Sequence, residues 1–145
     1  MKIDFRQIVL ALSDTLDLVG VDDYQHGKRV AFMATECARQ MGWQQEKLDK
    51  IYHAGLLHDC GVSSTQEHSH LIDQLDWQGA SNHCTRGHHL LKSQPMFQTL
   101  SEVILFHHTH WDRLKDMPLS DETQNMSNLI FLVDRVDALT AQHAD

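Results

Sequence analysis

The amino-acid sequence predicts an all-α fold, on three observations. The chain of 145 residues contains only 2 Pro and 7 Gly, so few positions interrupt a helix. Apolar residues recur at intervals of three and four in several segments, which is the spacing of one face of an α-helix. No segment alternates apolar and polar residues as a half-buried strand would. The expected architecture is a compact bundle of several helices.

Three helices are predicted in the first part of the chain, at residues 2–19, 22–42 and 44–59. Gly20 closes the first helix because glycine readily adopts the left-handed conformation that ends helices. Asp22 and Asp23 suit the N-terminus of the second helix, where negative charge is stabilised. Gly42 ends that helix.

Three further helices are predicted in the second part of the chain, separated by loops at 62–81 and 111–125; the helices cover 82–93, 95–109 and 126–141. Pro95 suits the first position of its helix, and Ser127 is a candidate cap for the last one. The segment from Leu129 to Val133 is apolar on every side, so the last helix is predicted to be central and buried.

Composition excludes several classes of protein. Asp and Glu total 20 against 12 for Lys and Arg, and the resulting charge of −8 argues against binding a nucleic-acid duplex. The apolar run Ile8–Leu12 is too short for a signal or membrane-spanning helix, so we expect a cytoplasmic protein without membrane association. The three cysteines form no C-x-x-C pair and are expected to be small apolar fillers. The length fits a single domain over residues 1–145.

Histidine is the unusual residue, with 12 in the chain. Several imidazoles and carboxylates fall on the inward faces of the predicted helices, namely His26, His58, Asp59, His107, His108 and Asp134. Asp22 lies one helical turn before His26 on the same face. An unpaired buried carboxylate costs on the order of several kcal/mol, so these groups should share protons in a polar core network or hold metal ions. Imidazole nitrogen with carboxylate oxygen suits Fe or Mn, with Zn as a further candidate.

The order and spacing of these residues are more specific than any one of them. The chain contains Asp-x-x-x-His-x-x-Arg-Val at 22–30, Leu-Leu-His-Asp-x-Gly at 56–61, His-x-x-x-Gly-x-x-Leu-Leu at 83–91, His-His at 107–108 and Val-Asp-x-Val-Asp-Ala-Leu at 133–139. This ordered set resembles the HD superfamily of metal-dependent phosphohydrolases. It is most similar to the HD-GYP branch, which hydrolyses cyclic diguanylate. The resemblance covers about residues 22–140.

The resemblance implies an all-helical fold around a site of two or three divalent metal ions. Carried onto this chain, it makes the following residues metal ligands: His26, His58, Asp59, His83, His107, His108 and Asp134. Asp22 stands where some members use a Glu for a third metal. In such members the residue at the position of Asp59 bridges metals, and a bridging hydroxide attacks phosphorus. His58 and Asp59 are therefore the predicted catalytic residues.

The chain departs from the HD-GYP pattern in three ways. Val62 occupies the position of a Lys that reaches the substrate phosphate, and the segment 109–112 replaces the Gly-Tyr-Pro element. The basic residues and helices that follow Asp-Ala-Leu in the family are not in this sequence. Arg29 and Arg86 are predicted to bind substrate phosphate through their planar guanidinium groups. Structural ion pairs are the alternative for both arginines.

The predicted function is hydrolysis of a phosphodiester in a cyclic dinucleotide or another nucleotide. One alternative is a degenerate signalling module that binds metal or nucleotide without efficient turnover, as the two missing motifs suggest. Another is a di-iron oxygenase, since myo-inositol oxygenase in the same superfamily uses a similar ligand set. The adjacent His107 and His108 favour the HD-GYP branch over the oxygenase. Expected partners are other signalling domains or a second copy, and the chain is a candidate fragment of a longer regulatory protein.

Overall fold

The computed structural model describes residues 4–18, 25–63 and 80–142, and these residues confirm the all-α prediction. They form a 3₁₀ turn at Gln98–Leu100 and seven α-helices: α1 Phe5–Leu18, α2 His26–Gln40, α3 Gln45–Leu57, α4 Ala80–Lys92, α5 Ser101–Phe106, α6 Trp111–Leu114 and α7 Asp121–Gln142. None of the described helices is long and apolar enough to cross a membrane.

One apolar core joins the described helices, and its fully buried members include Val30, Ile51, Leu57, Ile104, Met126 and Ile130. Helices α2 and α3 approach each other closely because their contact uses small residues. A Cβ atom added to Gly55 would lie only 2.6 Å from the Cα of Ala31. Helix α7 packs against both α2 and α5. This packing brings the ends of α2, α3 and α5 to one side of α7.

The sequence predicted that the second helix begins near Asp22, but it begins at His26. Gln25 directly precedes it with φ 63°, a left-handed conformation that a right-handed helix cannot pass through. Asp22 itself lies outside the described residues, as do residues 64–79 of the predicted loop. Gly42 has φ 78° and follows the end of α2, in agreement with its predicted role.

The last helix begins at Asp121, earlier than predicted, and its cap is Ser120 in place of Ser127. The backbone N–H of Thr123 donates to Ser120 Oγ at 3.1 Å, which satisfies one amide of the first turn. Ser127 lies inside the helix, where its buried hydroxyl donates to the carbonyl of Val103 at 3.3 Å. The predicted loop at 111–125 therefore contains α6 and the first turn of α7.

The predicted helix at 95–109 is interrupted. The N–H groups of Phe97 and Leu100 donate to carbonyls three residues earlier, which is a 3₁₀ pattern, and α-helix begins only at Ser101. The prediction that α7 is central and buried holds for only part of its circumference. Leu132 in its apolar run is 50% exposed because one face of α7 lies against solvent.

Candidate metal centre

Seven of the predicted ligands converge at one place in the fold. They are His26 at the start of α2, His58 and Asp59 after α3, His83 in the first turn of α4, His107 and His108 after α5, and Asp134 within α7. Their side chains are at most 14% exposed. Five separate helices thus contribute polar groups to a site that is almost closed to water.

The first group of ligand atoms comes from α2, the end of α3 and α7. His26 Nε2 lies 3.3 Å from His58 Nε2 and 3.0 Å from Asp134 Oδ1. His58 Nε2 lies 3.6 Å from the same Asp134 oxygen. Bonds of about 2.0–2.2 Å to a shared ion place nitrogen and oxygen ligands at such separations. We call these three residues the α2/α7 group.

The second group comes from α4 and the end of α5. His83 Nε2 lies 3.3 Å from His107 Nε2. A ring nitrogen of His108 lies within 4.8 Å of a ring nitrogen of each of these two residues. His108 Nε2 also lies 3.9 Å from Asp134 Oδ2, so the two groups are neighbours. We call these three residues the α4/α5 group.

Asp59 lies between the two groups and turns one oxygen to each. Its Oδ2 is 3.3 Å from His58 Nε2, and its Oδ1 is 3.3 Å from His83 Nε2. Oδ1 is buried and has no hydrogen-bond partner among the described residues. Burying an anionic oxygen without a donor is costly, whereas a cation beside it would compensate the charge.

Backbone carbonyls at helix ends set the tautomers of two imidazoles. His58 Nδ1 donates to the carbonyl of Gly55 at 2.8 Å, and His107 Nδ1 donates to that of Ile104 at 2.6 Å. The last carbonyls of a helix lack intrahelical partners, so an imidazole just after the helix satisfies one of them. With Nδ1 protonated, it is Nε2 of each ring that faces the centre, where it can bind either a proton or a metal ion.

The His26 ring is oriented in the same way, because its Nδ1 donates to Asp137 Oδ2 at 2.7 Å and its Nε2 faces the centre. Its Nε2 lies only 3.3 Å from that of His58, so in the neutral rings two lone pairs face each other. Two facing lone pairs repel unless a proton or a cation lies between them. The donor set and its unpartnered carboxylate oxygen thus fit divalent metal ions.

The acid–base properties of the buried groups agree with this fit. Burial opposes ionisation of Asp59, but the charge of the adjacent His58 and the surrounding imidazoles of His58, His107 and His83 hold the pKa of this carboxyl well below its usual range. Burial would lower the pKa of His58, but the charges and hydrogen bonds of Asp59 and Asp134 outweigh it and raise that pKa well above 6.5. Burial lowers the pKa values of His107 and His108. His107 and His108 are therefore neutral, and in the metal-free chain a proton on His58 supplies the positive charge that the ionised Asp59 and Asp134 attract.

Asp137 is a functional residue that the sequence reasoning missed. One of its oxygens accepts from His26 Nδ1, and Arg29 donates to both oxygens, from Nε to Oδ1 and from Nη2 to Oδ2, at 2.7 and 2.8 Å. Burial opposes ionisation of Asp137, but these hydrogen bonds lower its pKa to about 2. The signal was present, because Asp137 lies one helical turn after Asp134 in the Val-Asp-x-Val-Asp motif.

The two predicted substrate-binding arginines both contact protein groups. Arg29 pairs with Asp137, and Arg86 Nε donates to the carbonyl of Gly61 at 2.7 Å. Their binding of substrate stays a prediction, as does metal binding by Asp22, which lies outside the described residues.

Gly61 of the Leu-Leu-His-Asp-x-Gly motif allows the turn after α3 to touch α4. A Cβ atom at this position would lie 1.9 Å from the carbonyl oxygen of His83 and 2.4 Å from the amide nitrogen of Gly87. Only glycine permits this approach of two backbones. The contact fixes the position of Asp59 relative to His83.

The cysteines do not all act as apolar fillers. Cys37 is exposed, while Cys84 is buried with its Sγ 3.6 Å from His83 Nε2 and 3.7 Å from His107 Nδ1. Cys84 therefore lies against the α4/α5 group.

Comparison with known proteins gives two matches. Residues 23–142 match the HD domain family. Over 138 residues, or 95% of its length, the chain is 40% identical to the 3′3′-cGAMP-specific phosphodiesterase 1 of Vibrio cholerae serotype O1. It spans 32% of that relative's length. No solved structure matches the chain.

Proposed function

Because the chain belongs to the HD domain family, we propose that it is a metal-dependent phosphodiesterase that hydrolyses a cyclic dinucleotide. The observation that carries this proposal is the position of Asp59 between two groups of imidazoles whose ring nitrogens face each other. The relative from Vibrio cholerae is a 3′3′-cGAMP-specific phosphodiesterase and supports a cyclic dinucleotide as substrate. Among such substrates, 3′3′-cGAMP and cyclic diguanylate are the first candidates.

The proposed metal ligands divide between two ions. The α2/α7 group would hold one ion, the α4/α5 group would hold the other, and Asp59 would serve both. Fe or Mn is the proposed metal for this nitrogen and oxygen ligand set, with Zn as a further candidate. A third ion near Asp22 remains a prediction.

When bound, two divalent ions lower the pKa of a coordinated water and neutralise charge on the phosphate. The chain's own contribution is to orient the ligands beforehand. Gly55 and Ile104 fix the tautomers of His58 and His107 through their carbonyls, and Asp137 does so for His26. The low exposure of the ligands limits competing water and strengthens the electrostatic interactions of the two carboxylates.

His58 and Asp59 are the proposed catalytic residues because each would contact a metal ion. Arg29 and Arg86 remain candidates for the phosphates of the substrate. Cytoplasmic action, and assembly with other signalling domains or with a second copy, are further proposals that follow from a nucleotide substrate.

A hydrolysis assay with reconstituted metal tests this function. Metal-depleted protein would be loaded with Mn²⁺, or with Fe²⁺ in the absence of oxygen, and incubated separately with 3′3′-cGAMP and cyclic diguanylate. We expect linear dinucleotide or mononucleotide products, and a loss of more than about a hundredfold in kcat for His83→Ala. His89→Ala is the matched control, since His89 is an exposed histidine on the same helix. Metal binding without cleavage of either dinucleotide would refute the proposal.

A binding module without efficient turnover is the second candidate, favoured by one observation. Val62, which replaces the family lysine, is 8% exposed and offers no charge to a phosphate. Calorimetry with the same two dinucleotides separates the candidates: tight binding of intact ligand by the metal-loaded protein would favour the module.

A further inference from the structure

Cys84 is a buried nucleophilic group that the proposed function does not use. It belongs to α4 directly after His83 and is 2% exposed. Its Sγ lies 3.6 Å from His83 Nε2 and 3.7 Å from His107 Nδ1. Neighbouring residues on a helix usually point in directions about 100° apart, so their convergence here is a property of this particular helix start.

The distance from Cys84 Sγ to His83 Nε2 matches that between two ligands of one metal ion. Bonds of about 2.0 Å to nitrogen and about 2.3 Å to sulfur place the two donors of a tetrahedral ion about 3.5 Å apart. The 3.6 Å between Cys84 Sγ and His83 Nε2 agrees with that value. Cys84 and the three histidines of the α4/α5 group each offer one donor atom, and these four atoms lie within 4.8 Å of one another.

A second observation, independent of the cysteine, points to a cation at the same place. Asp59 Oδ1 is buried, has no hydrogen bond among the described residues and lies 3.3 Å from His83 Nε2. An anionic oxygen in this position needs a positive charge close by. The sulfur, the imidazole nitrogens and this oxygen therefore surround one candidate position for an ion.

The two halves of the centre differ in their donors. The α2/α7 group supplies two imidazoles and a carboxylate from Asp134, whereas the α4/α5 group has a thiol beside its imidazoles. Thiolate is a soft ligand that suits Zn²⁺, while carboxylate oxygen suits Mn²⁺.

We propose that Cys84 is a sulfur ligand of the ion held by the α4/α5 group, and that it makes the preference for Zn²⁺ over Mn²⁺ stronger in this half of the centre than in the α2/α7 group. The inference rests on the proposed metal-dependent function. Binding forms the sulfur–metal bond, and the thiol proton passes to solvent. The chain would then hold two different metals, with the α2/α7 group as the site for the harder ion.

X-ray absorption on the wild-type protein loaded with one zinc per chain tests the proposal directly. We expect one sulfur neighbour at about 2.3 Å from zinc in addition to lighter atoms at about 2.0 Å. A spectrum with nitrogen and oxygen neighbours alone would overturn the proposal. This measurement needs no variant and so does not depend on how substitutions fold.

Cobalt substitution with three serine variants identifies the sulfur. Wild-type protein loaded with Co²⁺ should show a thiolate-to-cobalt charge-transfer band in the near ultraviolet. The band should disappear in Cys84→Ser, with the visible cobalt bands retained. It should persist in Cys37→Ser, an exposed control, and in Cys60→Ser, which removes the other thiol near Asp59. A band that survives Cys84→Ser, or is lost only in Cys60→Ser, would contradict the proposal.

Metal competition tests the predicted preference. The protein would be dialysed against Mn²⁺ in increasing excess over Zn²⁺, and the wild-type chain should keep its last zinc at an excess at least about tenfold higher than Cys84→Ser does. Equal preference in the two proteins would refute it. Sulfur ligation without hydrolysis of a dinucleotide would uphold this inference and refute the proposed function, whereas hydrolysis without sulfur ligation would do the reverse. Failure to bind either metal would refute both.

Discussion

Replacing Asp137 with asparagine removes the charge that orients His26 while changing the side-chain volume little. In the wild-type chain, His26 Nδ1 and Arg29 Nη2 donate to Oδ2 at 2.7 and 2.8 Å, while Arg29 Nε donates to Oδ1 at 2.7 Å. Asparagine has only one oxygen, so its NH₂ group must face one of these donors. If it faces His26, the ring must accept on Nδ1 and protonate Nε2, which removes the lone pair directed at the metal centre.

The size of the effect follows from these contacts. Loss of a partner that orients a metal-bound histidine lowers metal affinity about 10- to 100-fold, or about 1.4 to 2.8 kcal/mol. The hydrogen bond to His26 is charge-assisted and buried, so its loss also destabilises the fold by about 1.5 to 3 kcal/mol. Arg29 is 40% exposed, so its ion pair with Asp137 adds about 1 kcal/mol or less.

Metal titration by calorimetry on Asp137→Asn, with denaturant unfolding of the metal-free protein, measures both effects. Asp17→Asn is the matched control, because Asp17 is partly buried, with its side chain 11% exposed, and pairs with Lys28 on α2 at 2.7 Å. We expect the control to keep wild-type metal affinity. Wild-type affinity and stoichiometry in Asp137→Asn would refute the orienting role.

Three other predictions concern the glycine contact, the core and a surface ion pair. Gly61→Ala should lower kcat about a hundredfold at saturating metal. The Cβ of the alanine would lie 1.9 Å from a backbone oxygen of α4, and relieving that clash would displace the ligands by about 1 Å. An unchanged kcat would contradict this prediction. Ile130→Ala should lower the free energy of unfolding by about 2 to 5 kcal/mol. Leu132 is half exposed on the same helix, so Leu132→Ala should lower it by less than about 0.5 kcal/mol. Equal losses for the two variants in denaturant titrations would contradict this prediction. The hydrogen bond from Lys50 lowers the pKa of Glu122 below 4.5, so this pair stabilises the fold above that pH by up to about 1 kcal/mol and loses the contribution as pH falls. Stability of Glu122→Gln should vary less with pH below about 4.5; an identical pH profile would refute the pairing.

The sequence predicted the helical class because that class depends on periodic position. Periodicity also placed an imidazole at the end of an apolar stripe, such as His58 or His107, where its helix meets the core. The full set of candidate ligands, with His83, was implied by the resemblance of the ordered motifs to the HD superfamily and not by spacing alone.

The remaining features depend on contacts that spacing does not encode. Gln25 adopts a left-handed conformation that sequence patterns assign to glycine or asparagine. Ser120 and Ser127 are equally good caps by residue type, and the buried contact of Ser127 with α5 decides between them. The position of Cys84 beside His83 Nε2 results from the close packing of α4 against the turn at Gly61, which no pattern in a single sequence reveals.

The shared carboxylate of Asp59 has a thermodynamic consequence. Its two oxygens belong to one rigid planar group, so an ion that draws Oδ2 toward the α2/α7 group also changes the position of Oδ1 beside the α4/α5 group. The two proposed binding equilibria would therefore be linked, and each ion would change the affinity for the other by the same factor. The centre would fill as a coupled pair, and the concentration of one metal in the cell would govern how much of the other the protein retains.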